Sequence, residues 1–181
     1  MNNIYFKKNN VLQKKITIFL FFGSLLIIGS SIFHFYGISL DEPETRSHGF
    51  ITLQYIYEIF FPNRLSTLNN IALGGEEFLG SVPKLHDFVS RDHGAVIDTL
   101  FAFIEVTLNI ETTKSQYLFR HYLCFIIFFV GVYFFYLLVK FRHNDWRVGI
   151  LGCAFLVLSP RIFAESFYNN KDIVFMSLYI I

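Results

Sequence analysis

Charge is scarce in this sequence. Of its 181 residues only 16% are Asp, Glu, Lys or Arg, against 54% hydrophobic, and the mean hydropathy is +0.47. That balance excludes an ordinary water-soluble domain, in which about a quarter of the residues are charged. Cysteine is scarcer still. Cys124 and Cys153 both lie in apolar runs, which excludes a disulfide framework or a cysteine metal site and leaves them as small packing residues. Internal repeats and low-complexity tracts are absent, as are the paired broken segments that mark many transporters. Acids are missing from Met1 to Lys15, a stretch holding Lys7, Lys8, Lys14 and Lys15. The apolar run behind those lysines is too long for a secretory h-region and lacks a small-x-small cleavage site, so it reads as an uncleaved anchor.

What is present is apolar and aromatic, with 24 Phe and 10 Tyr. The sequence therefore predicts an integral membrane protein: an all-α, polytopic bundle of transmembrane helices, three spans and the start of a fourth. Residues 1–15 read as a cytoplasmic tail by the positive-inside tendency. Residues 16–40 contain no charged side chain and form the first span, about 20 residues being enough to cross the hydrocarbon core. Gly23, Gly29 and Ser30-Ser31 in it would allow close helix approach, and His34 reads as an interfacial side chain. Residues 41–119 carry eleven acids against five bases and form a long loop on the opposite, outer side.

Within that loop Phe50, Leu53, Ile56, Tyr57, Phe60 and Phe61 recur at helical spacing, so residues 45–61 predict an amphipathic helix ended by Pro62. Residues 95–110 are apolar but carry Asp98 and Glu105, which predicts a helix lying in the interface with both acids turned to water. The connection over residues 63–94, with Gly74-Gly75, Gly80 and Pro83, reads as a surface loop. Residues 120–139 are the second span, 140–147 a basic cytoplasmic turn, and 148–162 a short third span anchored by Trp146. Residues 163–172 form a second outer loop, and 173–181 begin a fourth span. Nine residues cannot cross a bilayer at about 1.5 Å each, so the expectation is the amino-terminal part of a longer enzyme.

Two charged clusters fall on the same predicted surface. Asp41-Glu42 follow the first span, where they are either a solvated helix end or one half of a site. Arg161, Glu165, Tyr168, Asn169, Asn170, Lys171 and Asp172 follow the third. Cations and amide donors in that number could hold a phosphate while a carboxylate takes a proton. Plainer readings stand beside this one: Arg161 and Lys171 as snorkelling interfacial cations, Asp172 as an acid favoured at a helix N-terminus, and His48 and His93 as loop histidines without a chemical role.

The order of a first span, Asp41-Glu42, a long outer loop with interfacial helices, two spans joined by a basic turn, then Ser159-Pro160-Arg161 and Tyr168-Asn169-Asn170-Lys171-Asp172 resembles the amino-terminal part of GT-C class membrane glycosyltransferases. The likeness is to bacterial members related to protein O-mannosyltransferases and to the aminoarabinose transferase of lipid A. The resemblance implies a hexosyl- or pentosyltransferase that moves a sugar from a polyprenyl-phosphate carrier to a lipid, glycan or protein acceptor at the outer face of the membrane, with inversion. It implies Asp41 as general base with Glu42 beside it, Asp172 as a second catalytic acid, and Arg161, Tyr168, Asn169 and Lys171 as substrate-binding groups. No cofactor is expected; paired acids can hold a divalent metal, but a lipid monophosphate donor does not call for one. Membrane lipids are the remaining expected partner, nucleic acid is not expected, and the bacterial inner membrane is the expected location. The competing expectations are a non-catalytic scaffold or transporter fragment, and a truncated, inactive glycosyltransferase.

Overall fold

The computed structural model describes residues 2–73 and 82–181, with side chains from Val11 onward. Gly74-Gly75, Gly80, the acids Glu76 and Glu77, and the side chains of Lys7 and Lys8 lie outside the described residues. Those described form an all-helical protein without strands: α1 (Asn2–Ile32), α2 (Glu42–Phe60), α3 (Leu65–Leu73), α4 (Val96–Thr107), α5 (Thr113–His143), α6 (Trp146–Val157), α7 (Pro160–Tyr168) and α8 (Asp172–Ile180). The chain divides into two compact units. A span unit comprises residues 1–36 and 122–181, and a loop unit comprises residues 37–121.

In the span unit, Val11–Phe35 and Thr113–His143 are long and apolar enough to cross a membrane, and the pair α6 and α7 would pass the same test as one bent span. The protein thus has two or three candidate membrane-spanning helices. The first regular helix stops at Ile32, passes through a 3-10 turn at Phe33–Phe35, and is extended by Tyr36, so the last residues of the expected 16–40 span are not helical. The expected straight span over 148–162 is broken. At 12 residues, α6 reaches only about 18 Å at ~1.5 Å per residue, and α7 leaves it at 72°. The cause is Pro160 at the first position of α7. Its ring disfavours helical backbone at the preceding residue and removes one amide donor, and Ser159 is accordingly extended.

The bend lets Phe167 of α7 enter the core, where it stacks between Tyr36 at 4.4 Å and Phe125 at 5.2 Å, ring centre to ring centre. Phe22, Leu25, Phe128, Val132, Tyr136, Cys153 and Ile173 complete this cluster. Helix approach is closest at glycines, as small-residue packing in membranes leads one to expect. A Cβ on Gly29 would sit 1.9 Å from the Phe125 ring, and one on Gly131 would meet Ser177 of α8 at 2.7 Å. Gly23 has no such neighbour, so of the two glycines singled out in the first span only Gly29 is a crossing point. Cys124 and Cys153 are buried and not disulfide-bonded, and the Cys153 thiol donates to the Val132 carbonyl at 3.4 Å.

The loop unit is built on α2 crossing α4. The crossing is tight at Gly49, where a Cβ would lie 2.3 Å from the backbone oxygen of Asp98. Phe50, Ile51, Leu53, Tyr57, Leu68, Ile71, Ala72, Val82, Ala102 and Val106 form the core. The amphipathic helix expected over 45–61 is present, but its buried stripe is Phe50, Leu53 and Tyr57 with Ile51 added, while Phe60 and Phe61 are exposed. Helix α4 ends in a Schellman motif: the amides of Asn109 and Ile110 donate to Val106 and Glu105 carbonyls at 3.3 and 3.0 Å, with Asn109 in the left-handed region at φ 54°. This satisfies two of the carbonyls a helix end would leave orphaned.

The orientation of α4 corrects the sequence expectation. Asp98 and Glu105 are 3% and 0% exposed, whereas Val96, Leu100 and Phe103 are 81%, 48% and 45% exposed. The acids turn inward because two guanidiniums wait there, beside the buried Phe101, Ala102 and Val106, while Val96, Leu100 and Phe103 turn outward.

Candidate functional site: a buried charge cluster and the Asp41 corner

Three helices of the loop unit supply the cluster. Glu42 and Arg46 are one turn apart on α2, Asp98 and Glu105 are two turns apart on α4, and Gln116 and Arg120 are one turn apart at the start of α5, with His121 following. Residues three, four or seven apart share a helix face, so each helix presents its polar groups as one stripe.

Glu105 is the hub. Its Oε1 accepts from Arg120 Nε, and its Oε2 lies 3.4 Å from Arg46 Nη2. Arg120 Nη1 stands 4.0 Å from Asp98 Oδ1. Arg46 Nη2 also donates to the Ile71 carbonyl at 3.3 Å, which accepts from Gln116 Nε2 at 3.0 Å as well. Each guanidinium carbon lies over an aromatic ring: Arg46 over Phe50 at 4.6 Å and Arg120 over Phe101 at 5.7 Å. Among the described residues two cations face two acids, and all four side chains are at most 5% exposed. That balance is what makes burial tolerable, because an isolated charge out of water costs several kcal/mol.

A second buried pair lies on the same helices. Glu42 is 4% exposed and His121 1%. An ionised carboxylate only accepts, so His121 Nε2–H donates to Glu42 Oε1, at 2.7 Å. The other oxygen, Oε2, accepts from the Ser39 amide at 2.6 Å, while the Glu42 amide returns to the Ser39 carbonyl at 3.3 Å. The two bonds between Ser39 and Glu42 form a reciprocal corner like that of a capping box. Asp41 sits on this corner. It is exposed, occupies the N-cap position of α2 without a side-chain cap bond, and has no side-chain partner among the described residues.

The adjacent acids singled out in the sequence therefore part company: Glu42 is sunk and saturated, Asp41 is free at the surface. Among the described residues no group of three or more His, Cys, Asp or Glu side chains is gathered closely enough to hold a metal ion. His48 is buried with its ring 5.4 Å from that of Phe88. His93 is exposed and bonded to the Ser90 carbonyl at 3.2 Å.

In the span unit, the residues expected to bind substrate are linked within one short stretch. Arg161 Nε donates to Glu165 Oε1 at 2.8 Å, and Asn169 Nδ2 reaches Glu165 Oε2 at 3.4 Å and Asp172 Oδ2 at 3.2 Å. Asn169 Oδ1 in turn accepts from the amides of Lys171 and Asp172 at 3.2 and 2.8 Å. Asn169 thus organises the turn between α7 and α8, Asp172 begins α8 where its charge suits the helix dipole, and Lys171 and Arg161 remain exposed. Tyr168 is half-buried, its ring 6.1 Å from that of Tyr36.

Arg46, Gln116, Arg120 and His121 were not singled out from the sequence. Their signal was the helical spacing of Glu42 with Arg46 and of Gln116 with Arg120, read together with the polar start of an otherwise apolar helix. Comparison of the chain with protein-family models, curated proteins and solved structures finds no match. The fold and site define an all-helical protein with candidate membrane-spanning helices and a buried charge cluster.

Proposed function

We propose that this protein is a membrane glycosyltransferase that transfers a sugar from a polyprenyl-phosphate carrier to an acceptor hydroxyl at the outer face of a bacterial inner membrane. The observation that carries the reading is the state of Asp41: an exposed carboxylate without a side-chain partner among the described residues, at the first helical corner after a charge-free apolar segment. The resemblance to GT-C enzymes assigns the general base to this position. In the proposed step the acceptor oxygen attacks the anomeric carbon, Asp41 takes the hydroxyl proton, and the bond from that carbon to the phosphate oxygen breaks. Polyprenyl phosphate leaves, and the sugar inverts.

Arg161, Tyr168, Asn169 and Lys171 are assigned to the lipid phosphate, and Asp172 orders their turn. The support is their hydrogen-bonded continuity and the two exposed cations, which suit an anionic leaving group. The lysines before the first span support a cytoplasmic N-terminus by the positive-inside tendency. The exposed Val96, Leu100 and Phe103 suit α4 to a position in the lipid interface.

The test is release of polyprenyl phosphate from radiolabelled polyprenyl-phosphate sugars by membranes expressing the full chain. Removing a well-placed general base costs about 10²- to 10⁴-fold, and Asp41→Asn is expected to lose that much. Full transfer by Asp41→Asn at unchanged expression refutes the assignment, and no release by the wild-type protein with any polyprenyl-phosphate hexose or pentose refutes the function.

A further inference from the structure

We propose that His121 and Glu42 are positioning residues: a buried clamp that fixes the corner carrying Asp41, and so sets the direction in which its carboxylate points. This rests on the transferase reading above only for what Asp41 does, not for the clamp itself. Glu42 is a poor candidate for the base despite standing beside Asp41. Both its oxygens are occupied, by the Ser39 amide and by His121, and it is 4% exposed. It has little room to receive a proton from an acceptor without losing a bond that shapes the chain.

The clamp joins distant parts of the sequence. His121 lies 79 residues beyond Glu42, at the point where α5 passes from the polar cluster into its charge-free stretch. Among the described residues its other ring nitrogen, Nδ1, has no hydrogen-bond partner, so there the contact to Glu42 is what engages the imidazole. On the far side, Glu42 holds Ser39 through two backbone–carboxylate and backbone–backbone bonds, and the Asp41 carbonyl accepts from the Thr45 amide at 3.0 Å. Asp41 is thus gripped by its backbone from both sides while its side chain is left free. A general base must hold hydrogen-bond reach to the proton it takes, and displacements of about 1 Å can cost 10²-fold in rate. An exposed Asp on a loose corner would not meet that demand.

The experiment uses hydrogen exchange of the full chain in detergent micelles, with polyprenyl-phosphate release as a second readout. In His121→Ala, the amides from Ser39 to Thr45 are expected to exchange at least tenfold faster, while those of α4 keep their wild-type rate. His121→Gln, whose amide nitrogen can take the place of Nε2, is expected to restore protection. Release activity should follow the same order, falling in kcat rather than KM, with His121→Gln between wild type and His121→Ala. Unchanged exchange at residues 39–45 in His121→Ala overturns the proposal. Loss of protection that spreads through α4 also overturns it, because His121 would then be a packing residue of the whole unit. If the exchange result holds but wild-type membranes release no polyprenyl phosphate, the clamp stands and the transferase reading fails.

Discussion

Replacing Glu105 by Ala would test whether the loop unit is held by its buried charges. Glu105 is fully buried and engages both guanidiniums, Arg46 at 3.4 Å and Arg120 through its Nε. Without it, two cations that are 0% and 3% exposed would lose the carboxylate they share, while Asp98 Oδ1 stays 4.0 Å from Arg120. Separation at that distance gives a weak bond, and the bonds from Arg46 and Gln116 to the Ile71 carbonyl supply no countercharge. Removing one partner of a buried ion pair costs about 3–5 kcal/mol, because the other charge stays buried and unpaired. At about 1.4 kcal/mol per factor of ten, amides of α2 and α4 that exchange through opening of the unit should exchange roughly 10²- to several 10³-fold faster in Glu105→Ala. Glu105→Gln, which keeps an acceptor but loses the charge, should fall between. Acceleration by less than about fivefold in Glu105→Ala would refute the reasoning, and would mean that water reaches the cluster or that Asp98 moves to replace the lost carboxylate.

Two further substitutions probe the frame around the cluster. Gly49→Ala would place a methyl group 2.3 Å from the Asp98 carbonyl; since that atom is backbone, α2 and α4 must separate, and a loss of about 1–3 kcal/mol is expected from overpacking, read as faster exchange in both helices. Asn109→Val would force a β-branched residue into the left-handed conformation that closes α4, at a cost of about 1–2 kcal/mol, whereas Asn109→Gly should hold the wild-type melting temperature within a few degrees.

Most of the helices were legible, but α3 (Leu65–Leu73) falls in the stretch expected to be a surface loop over 63–94. Charge-free stretches gave the spanning segments, helical spacing gave α2, and a mixed apolar and acidic segment gave α4 to within three residues at either end. Legibility failed where a side chain's direction depends on a partner far along the chain. Asp98 and Glu105 share a face, and spacing says so, but whether that face meets water or protein depends on Arg46 and Arg120. Both are ordinary polar flanks until α2, α4 and α5 are assembled. The break between α6 and α7 was closer to hand, since Pro160 announces it; taking Pro160 as the outer end of the short span over 148–162 misses the bend it makes.

By itself the sequence determined that the chain is helical and carries segments apolar and long enough to cross a membrane, two or three among the described residues, because each such segment is set by local hydropathy. It also marked Asp41-Glu42 as a point of interest. Only the tertiary structure decided which of the two acids is free. Glu42 is drawn inward by His121 and Ser39, which give both of its oxygens a partner, as buried polar groups demand; that leaves Asp41 as the exposed one. The physical reason for the divide is that hydropathy is a property of neighbours in the chain, whereas the pairing of buried charges is a property of neighbours in space.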